Sequence, residues 1–197
     1  MKIVVSFLAV CLIIGGIFVG LNLSNKNTND DSESTDSNSS NSQNSKSSPD
    51  ATTLDLSNSG LTKVTADVYG KTGTTDLILS YNSIQTLPSE MGKMTNVVVF
   101  KIDHNILDGS LIGEIRQMSK LKVLDVSHNN MTGMPAEIGQ LSKLEELNYS
   151  YNNISGLPNE LANLVNNLKT FNLTGNPLSQ ELINNLKATL PNTTIIF

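Results

Sequence analysis

Five stretches of the sequence share one pattern: LILSYNSI at 77–84, FKIDHNIL at 100–107, LDVSHNNM at 124–131, LNYSYNNI at 147–154 and FNLTGNPL at 171–178. Each reads apolar-x-apolar-x-x-Asn-x-apolar, and successive copies start 23 or 24 residues apart. Alternation of apolar and polar residues is the period of a half-buried β-strand, because successive side chains point to opposite faces of a strand. The sequence therefore predicts one strand in every repeat.

The repeat extends beyond these five copies. Its first position falls at Ala51, Thr74, Val97, Leu121, Leu144, Leu168 and Asn192. Repeats of this length each form one unit that buries its apolar side against the next unit. Seven parallel strands about 4.8 Å apart predict a sheet roughly 29 Å across.

A single asparagine recurs at position 9 of the repeat, where the chain leaves the strand and turns inward. The predicted ladder is Asn82, Asn105, Asn129, Asn152 and Asn176, and the first copy has Ser59 instead. Buried backbone groups at such a turn must be hydrogen-bonded. Because an Asn side chain both donates and accepts hydrogen bonds, we predict that these residues link each repeat to its neighbour.

This pattern resembles the leucine-rich repeat family, whose unit is L-x-x-L-x-L-x-x-N-x-L. The resemblance covers 51–197. It implies an α/β solenoid with a parallel β-sheet on the concave face and short helices or turns on the convex face. The Leu/Met-Pro-x-Glu segments around Pro88, Pro135 and Pro158 look like the outer half of its 23-residue class, and we expect these prolines in the first helical turn.

The two ends of the repeat region depart from the pattern. The outer half at 63–73 is poor in apolar residues, and 179–190 reads as an amphipathic helix that leads into a returning strand at 194–197. Terminal repeats must shield the core from water. We therefore expect 51–197 to be a capped and monomeric repeat domain.

The resemblance implies that recognition uses the concave face of the sheet. Position 8 places Tyr-His-His-Tyr in four consecutive copies, next to apolar side chains. Aromatic residues commonly dominate protein interfaces. The predicted partner-binding residues are Tyr81, His104, His128, Tyr151, Ile78, Lys101, Val99, Val123 and Asp125.

Other interpretations of the position-8 row stay open. Members of this family commonly carry His, Tyr or Asn there, so the row also fits ordinary repeat composition. His104 and His128 offer two metal ligands beside Asp103, but a third ligand facing the same way is missing, so no metal site is predicted. Because two neighbouring imidazoles repel when both are protonated, binding through this row is expected to change between about pH 5 and 7.

An uncharged apolar run occupies residues 3–21. As a helix it would be about 28 Å long, which matches the roughly 30 Å hydrocarbon core of a bilayer. We predict a transmembrane helix or signal anchor over 1–23, with the repeats on the extracytoplasmic side because Lys2 precedes the run. A cleaved secretory signal and a lipoprotein signal at Cys11 are the alternatives.

Residues 24–50 are rich in Ser and Asn and contain no aliphatic or aromatic side chain. Such a segment cannot bury enough apolar surface to offset its conformational entropy. We predict a disordered linker with a typical reach of about 30 Å. Gly16 and Gly20, in the apolar run before it, have the spacing of a helix-pairing face, so a membrane-helix dimer fits the sequence.

The composition excludes several function classes. A formal net charge of −5 and a pI of about 4.9 leave no basic patch for nucleic acid. One Cys and two His exclude a disulfide framework and a Cys-rich zinc site. No nucleophile elbow or phosphate-binding loop is present, so we predict no enzymatic activity and no cofactor.

These observations predict a non-enzymatic, membrane-tethered binding module that recognises a protein or a surface polymer through the concave face. It would contact the lipid bilayer through residues 3–21 and no nucleic acid. One alternative is a structural or adhesion component of the cell envelope. The other is a secreted leucine-rich-repeat effector, if the N-terminal segment is cleaved.

Overall fold

A computed structural model describes residues 52–197 as a stack of strands and short helices. The strands are β1 (Thr53–Asp55), β2 (Asp76–Ile78), β3 (Val99–Lys101), β4 (Asp108–Gly109), β5 (Val123–Asp125), β6 (Asn130–Met131), β7 (Glu146–Asn148), β8 (Thr170–Asn172) and β9 (Thr194–Ile196). Seven of them form one parallel sheet in the order β1-β2-β3-β5-β7-β8-β9, and β4 pairs with β6 in a second, two-stranded sheet.

The register of the main sheet is the same at every step. The first residue of each strand pairs with the first residue of the next, as Asp76 does with Val99 and Val99 with Val123. Equivalent positions of successive repeats therefore form straight rows across the sheet. The parallel sheet predicted from the alternating pattern is confirmed.

Short helices lie on the side of the repeats away from the sheet. They are α1 (Ala66–Tyr69), four 3₁₀ helices (Ser89–Lys93, Gly113–Gln117, Ala136–Gln140 and Asn159–Leu164) and α2 (Gln180–Thr189). The expected position of the prolines was wrong by one residue. Pro88, Pro135 and Pro158 are the caps that precede their 3₁₀ helices, and their ψ angles of 144–149° show that the backbone is still extended there.

The core lies between the sheet and the outer helices. Positions 4 and 6 of the five central repeats are buried: Leu77, Phe100, Leu124, Leu147 and Phe171, then Leu79, Ile102, Val126, Tyr149 and Leu173. Tyr149 is the one residue of this set with a polar group in its side chain. Its hydroxyl is buried and has no hydrogen-bond partner in the described part of the chain. Burial in this apolar layer raises the pKa of Tyr149 far above its ordinary value.

Each position-9 asparagine bridges two repeats in the structure. The Asn129 amide group donates to the carbonyl of Val126 in its own repeat and to that of Ile102 in the preceding repeat, both at 3.1 Å. Its Oδ1 accepts from the backbone N–H of Leu107 at 2.9 Å. The same three kinds of hydrogen bond recur at the other four asparagines, Asn82, Asn105, Asn152 and Asn176.

The terminal repeats shield the core less completely than we expected. Leu54 and Leu56 at one end, and Ile195 at the other, are only half-buried. Phe197 is 40% exposed and lies under the Lys187 ammonium, 5.0 Å from its ring centre. The reason is geometric, since each terminal strand has a neighbouring strand on one side only.

The transmembrane segment predicted over 1–23 and the linker predicted over 24–50 lie outside the described residues. Among residues 52–197, no helix has the length and apolar character needed to cross a bilayer.

We predict that Asn129→Leu lowers the free energy of unfolding by about 1–3 kcal/mol, because it leaves the Leu107 N–H without a partner. It also removes one of the two asparagine donors from the carbonyls of Ile102 and Val126, which keep those of Asn105 and Asn152. Chemical denaturation of the purified protein measures this change. Asn153→Leu is the matched control, because Asn153 is exposed and only its backbone N–H is hydrogen-bonded, to Met131. Equal midpoints for both variants would contradict the role given to the ladder.

Candidate recognition surface on the open face of the sheet

Two rows of strand side chains cover the open face of the main sheet. The first row comes from position 3 and consists of Thr53, Asp76, Val99, Val123, Glu146, Thr170 and Thr194. The second row comes from position 5 and consists of Asp55, Ile78, Lys101, Asp125, Asn148, Asn172 and Ile196. Both rows point away from the core, because positions 4 and 6 point into it.

The predicted row at position 8 follows the strands instead of lying on them, which corrects our expectation. Tyr81, His104, His128 and Tyr151 have positive φ angles of 51–57°, as does Asn58 in the first repeat. Left-handed backbone is uncommon for residues other than glycine. Here the N–H of each residue still donates to the next repeat, as from His104 to Ser127 at 3.1 Å, while the chain turns inward toward the asparagine.

The four rings of this row stack face to face. The ring centres are 4.2 Å apart for Tyr81 and His104, 4.2 Å for His104 and His128, and 4.4 Å for His128 and Tyr151, with interplanar angles of 15–19°. The column ends at Gly175, where a Cβ would lie 2.8 Å from the Tyr151 ring. Glycine at this position therefore leaves room for the last ring.

Stacking changes what the row can offer to a partner. The ring faces cover one another, so the column presents ring edges and heteroatoms to solvent, with Tyr81 and Tyr151 each 52% exposed. A partner would therefore contact the edges of these rings more than their faces. The lone pairs of two nearly parallel imidazoles lie in separate planes, so His104 and His128 do not converge on one ion.

Hydrogen bonds fix the polar groups beside the column. The Asp103 carboxylate accepts from the Ser80 hydroxyl and lies 2.9 Å from His104 Nδ1. One oxygen of Asp125 accepts from the N–H and hydroxyl of Ser127, and its other oxygen accepts from the Asn148 amide at 3.0 Å. Ser127 therefore donates to Asp125 and not to His128.

The predicted surface residues thus have different surroundings. Ile78, Val99 and Val123 are half-buried on the sheet face, and Lys101 is exposed among them. Asp125 is held by its neighbours. A shallow depression in the face is lined in part by Lys101, Val123, Asp125 and Glu146.

Charge on the open face is predominantly negative. Positions 3, 5 and 7 carry the carboxylates Asp55, Asp76, Asp103, Asp125 and Glu146, and their only ammonium group belongs to Lys101. Lys122 and Lys169 lie one residue before the strands, where both contact Glu145. Hydrogen bonds from Lys169 and Lys122 lower the pKa of Glu145 to about 2, so these two bases are already paired with a carboxylate.

Sequence reasoning missed Asp76 and Glu146 as candidate surface residues, and it missed the stacking. The signal for the acids was available, since both occupy position 3 beside Val99 and Val123. A weaker signal for the stacking was also present in the sequence. The sixth repeat has glycine, Gly175, at position 8, where a side chain would collide with the Tyr151 ring of the preceding repeat.

Comparison with known families and proteins supports the resemblance drawn from the repeat pattern. Residues 119–178 match the family model described as Leucine rich repeat. Over 63 residues the chain is 38% identical to leucine-rich repeat and fibronectin type III domain-containing protein 1 of Danio rerio. That match covers 32% of this chain and 11% of the relative, so the chain spans only a small part of that protein's length.

Among the solved structures that are similar in fold are two plant receptor kinases. One is the LRR ectodomain of the plant membrane receptor kinase GASSHO1/SCHENGEN3 from Arabidopsis thaliana, in complex with CASPARIAN STRIP INTEGRITY FACTOR 2. It matches with a TM-score of 0.61 and 27% sequence identity, and the match covers 73% of this chain and 17% of that chain. The other is the Arabidopsis receptor kinase HAESA in complex with the peptide hormone IDA and the co-receptor SERK1. Its TM-score is 0.54 and its sequence identity 30%, and the match covers 59% of this chain and 20% of that chain. These likenesses support a leucine-rich-repeat solenoid with a parallel sheet.

We predict that His128→Val destabilises the protein by about 1–3 kcal/mol more than His128→Asn, because a β-branched residue is strained at a positive φ angle. Both variants remove the same two stacking contacts of His128. The difference between their free energies of unfolding therefore reports the cost of a β-branched residue in the left-handed backbone conformation. Asn58 shows that asparagine is accommodated at this position. Thermal or chemical denaturation measures the difference, and identical unfolding curves would contradict the left-handed conformation.

Proposed function

We propose that this protein is a non-enzymatic binding module that engages a protein or peptide partner through the open face of its sheet. The observation that carries the proposal is the group of half-buried apolar residues, Ile78, Val99 and Val123, on a face that no other element of residues 52–197 covers. Apolar side chains surrounded by polar ones on an exposed surface are typical of interaction sites. The strand register holds these residues in place, so binding does not require a loop to become ordered first.

The similar solved structures favour this class of function. Two of them are complexes, one with CASPARIAN STRIP INTEGRITY FACTOR 2 and one with a peptide hormone and a co-receptor. A fold alone does not determine function. The half-buried apolar group on the open face of this chain is therefore the stronger argument, and the complexes support a protein or peptide as the ligand.

We further propose that the module is displayed outside a membrane by an N-terminal anchor. The support is the apolar run at 3–21 and the polar segment at 24–50. Intact-mass measurement of the mature protein, wherever it is recovered, tests this proposal. An uncleaved anchor retains the full mass, whereas removal of about twenty residues would identify a cleaved signal.

A binding selection tests the use of the sheet face. Peptides enriched from a random display library on the full chain in non-ionic detergent should bind Val99→Gln at least about fivefold more weakly than the unchanged protein. The substitution places a polar side chain among these apolar residues without adding charge. Lys93→Ala, on the exposed outer side, should leave affinity unchanged. Selected peptides that bind Val99→Gln normally would contradict the proposal.

A further inference from the structure

Four position-3 residues form an ordered sequence across the sheet. Asp76, Val99, Val123 and Glu146 are the first residues of the adjacent strands β2, β3, β5 and β7, and each is paired in register with the next. The row therefore reads acid, valine, valine, acid along a line perpendicular to the strands. We call these four residues the acid-valine row.

The two carboxylates of the acid-valine row are available to a ligand. Asp76 is half-buried, and one of its oxygens accepts a 3.4 Å hydrogen bond from the Thr53 hydroxyl. Glu146 is exposed. The hydrogen bond to Glu145 raises the pKa of Lys169, and the nearby Glu146 carboxylate adds to this shift. The Lys169 ammonium group is therefore already hydrogen-bonded to Glu145 and not to Glu146.

The spacing of the row matches an extended chain. Four strands about 4.8 Å apart place the two acids roughly 14 Å from each other, with the midpoint of the valines about 7 Å from each. In an extended segment, residues i, i+2 and i+4 point to the same side at intervals of about 7 Å. One such segment can therefore place a side chain over each acid and a third over the valines.

The charge on the face selects the chemistry of that segment. A basic residue at each end would meet a carboxylate, and an apolar residue at the centre would cover Val99 and Val123. Lys101 follows Val99 by two residues on the same strand and face, which disfavours a basic residue at the centre. The remaining carboxylates of the open face add to its attraction for a cationic partner.

We propose that the acid-valine row binds an extended protein segment with the pattern basic-x-apolar-x-basic, lying across the strands of the sheet. This inference rests on the proposed function, since it specifies the ligand of the same face. It differs from that function in requiring two positive charges at a defined separation.

Fluorescence anisotropy with synthetic peptides tests the proposal on the full chain in non-ionic detergent at low salt. The probe is a labelled Gly-Ser-Lys-Ser-Val-Ser-Lys-Ser-Gly peptide. One comparison peptide replaces both Lys residues by Glu, and another keeps the composition but places the two Lys residues side by side. We expect the spaced Lys peptide to bind at least about tenfold more tightly than the Glu peptide and measurably more tightly than the side-by-side peptide.

Substitutions assign the binding to the acid-valine row. Asp76→Asn and Glu146→Gln should each weaken binding of the spaced Lys peptide about threefold, as expected for the loss of one partly exposed ion pair. Glu181→Gln, an exposed carboxylate on α2, removes the same charge elsewhere and should have no effect. Equal binding of all three peptides, normal binding to both row variants, or no binding of the spaced Lys peptide at about 1 mM would overturn the inference.

The outcome also separates this inference from the proposed function. Library-selected peptides that lack the basic pair but lose affinity for Val99→Gln would overturn the acid-valine motif and leave sheet-face binding in place. Selected peptides that bind Val99→Gln normally would overturn both.

Discussion

The turn at the end of each strand imposes the constraint on which the other features depend. The chain must reverse inward there, and its buried carbonyl and N–H groups have no strand to pair with. The position-9 asparagine supplies these partners, and its hydrogen bonds reach the preceding repeat. Each repeat is therefore tied to its neighbour at the turn as well as along the strand. The straight rows on the open face are a consequence of that repeated connection.

The same turn explains the aromatic column. The residue before each asparagine adopts a left-handed conformation, so its side chain leaves the strand direction and lies beside the corresponding side chain of the next repeat. Flat rings fill that spacing by stacking, at 4.2–4.4 Å between centres. The column can therefore stabilise the end of the sheet without being a ligand site. Its outward heteroatoms border the face proposed to bind the partner.

The sequence was sufficient to predict the sheet and the asparagine positions, because both depend on local periodicity. Alternation identified the strands, and the recurrent asparagine marked the turns. Other features depend on backbone angles that periodicity does not encode. The sequence could not show that Tyr81 and His104 stack, or that Pro88 precedes its helix instead of entering it. The acids at Asp76 and Glu146 became significant only when the register placed them in line with two valines.

We infer that the asparagine ladder holds the repeats in the register that forms the open face. Amide hydrogen exchange at Ile84, Leu107, Met131 and Ile154 tests it most directly, because the N–H of each donates to an asparagine side chain and to no strand. We expect these four amides to be protected as strongly as the strand amides of Leu77 and Leu124. Exchange at the rate of an unstructured loop would contradict it.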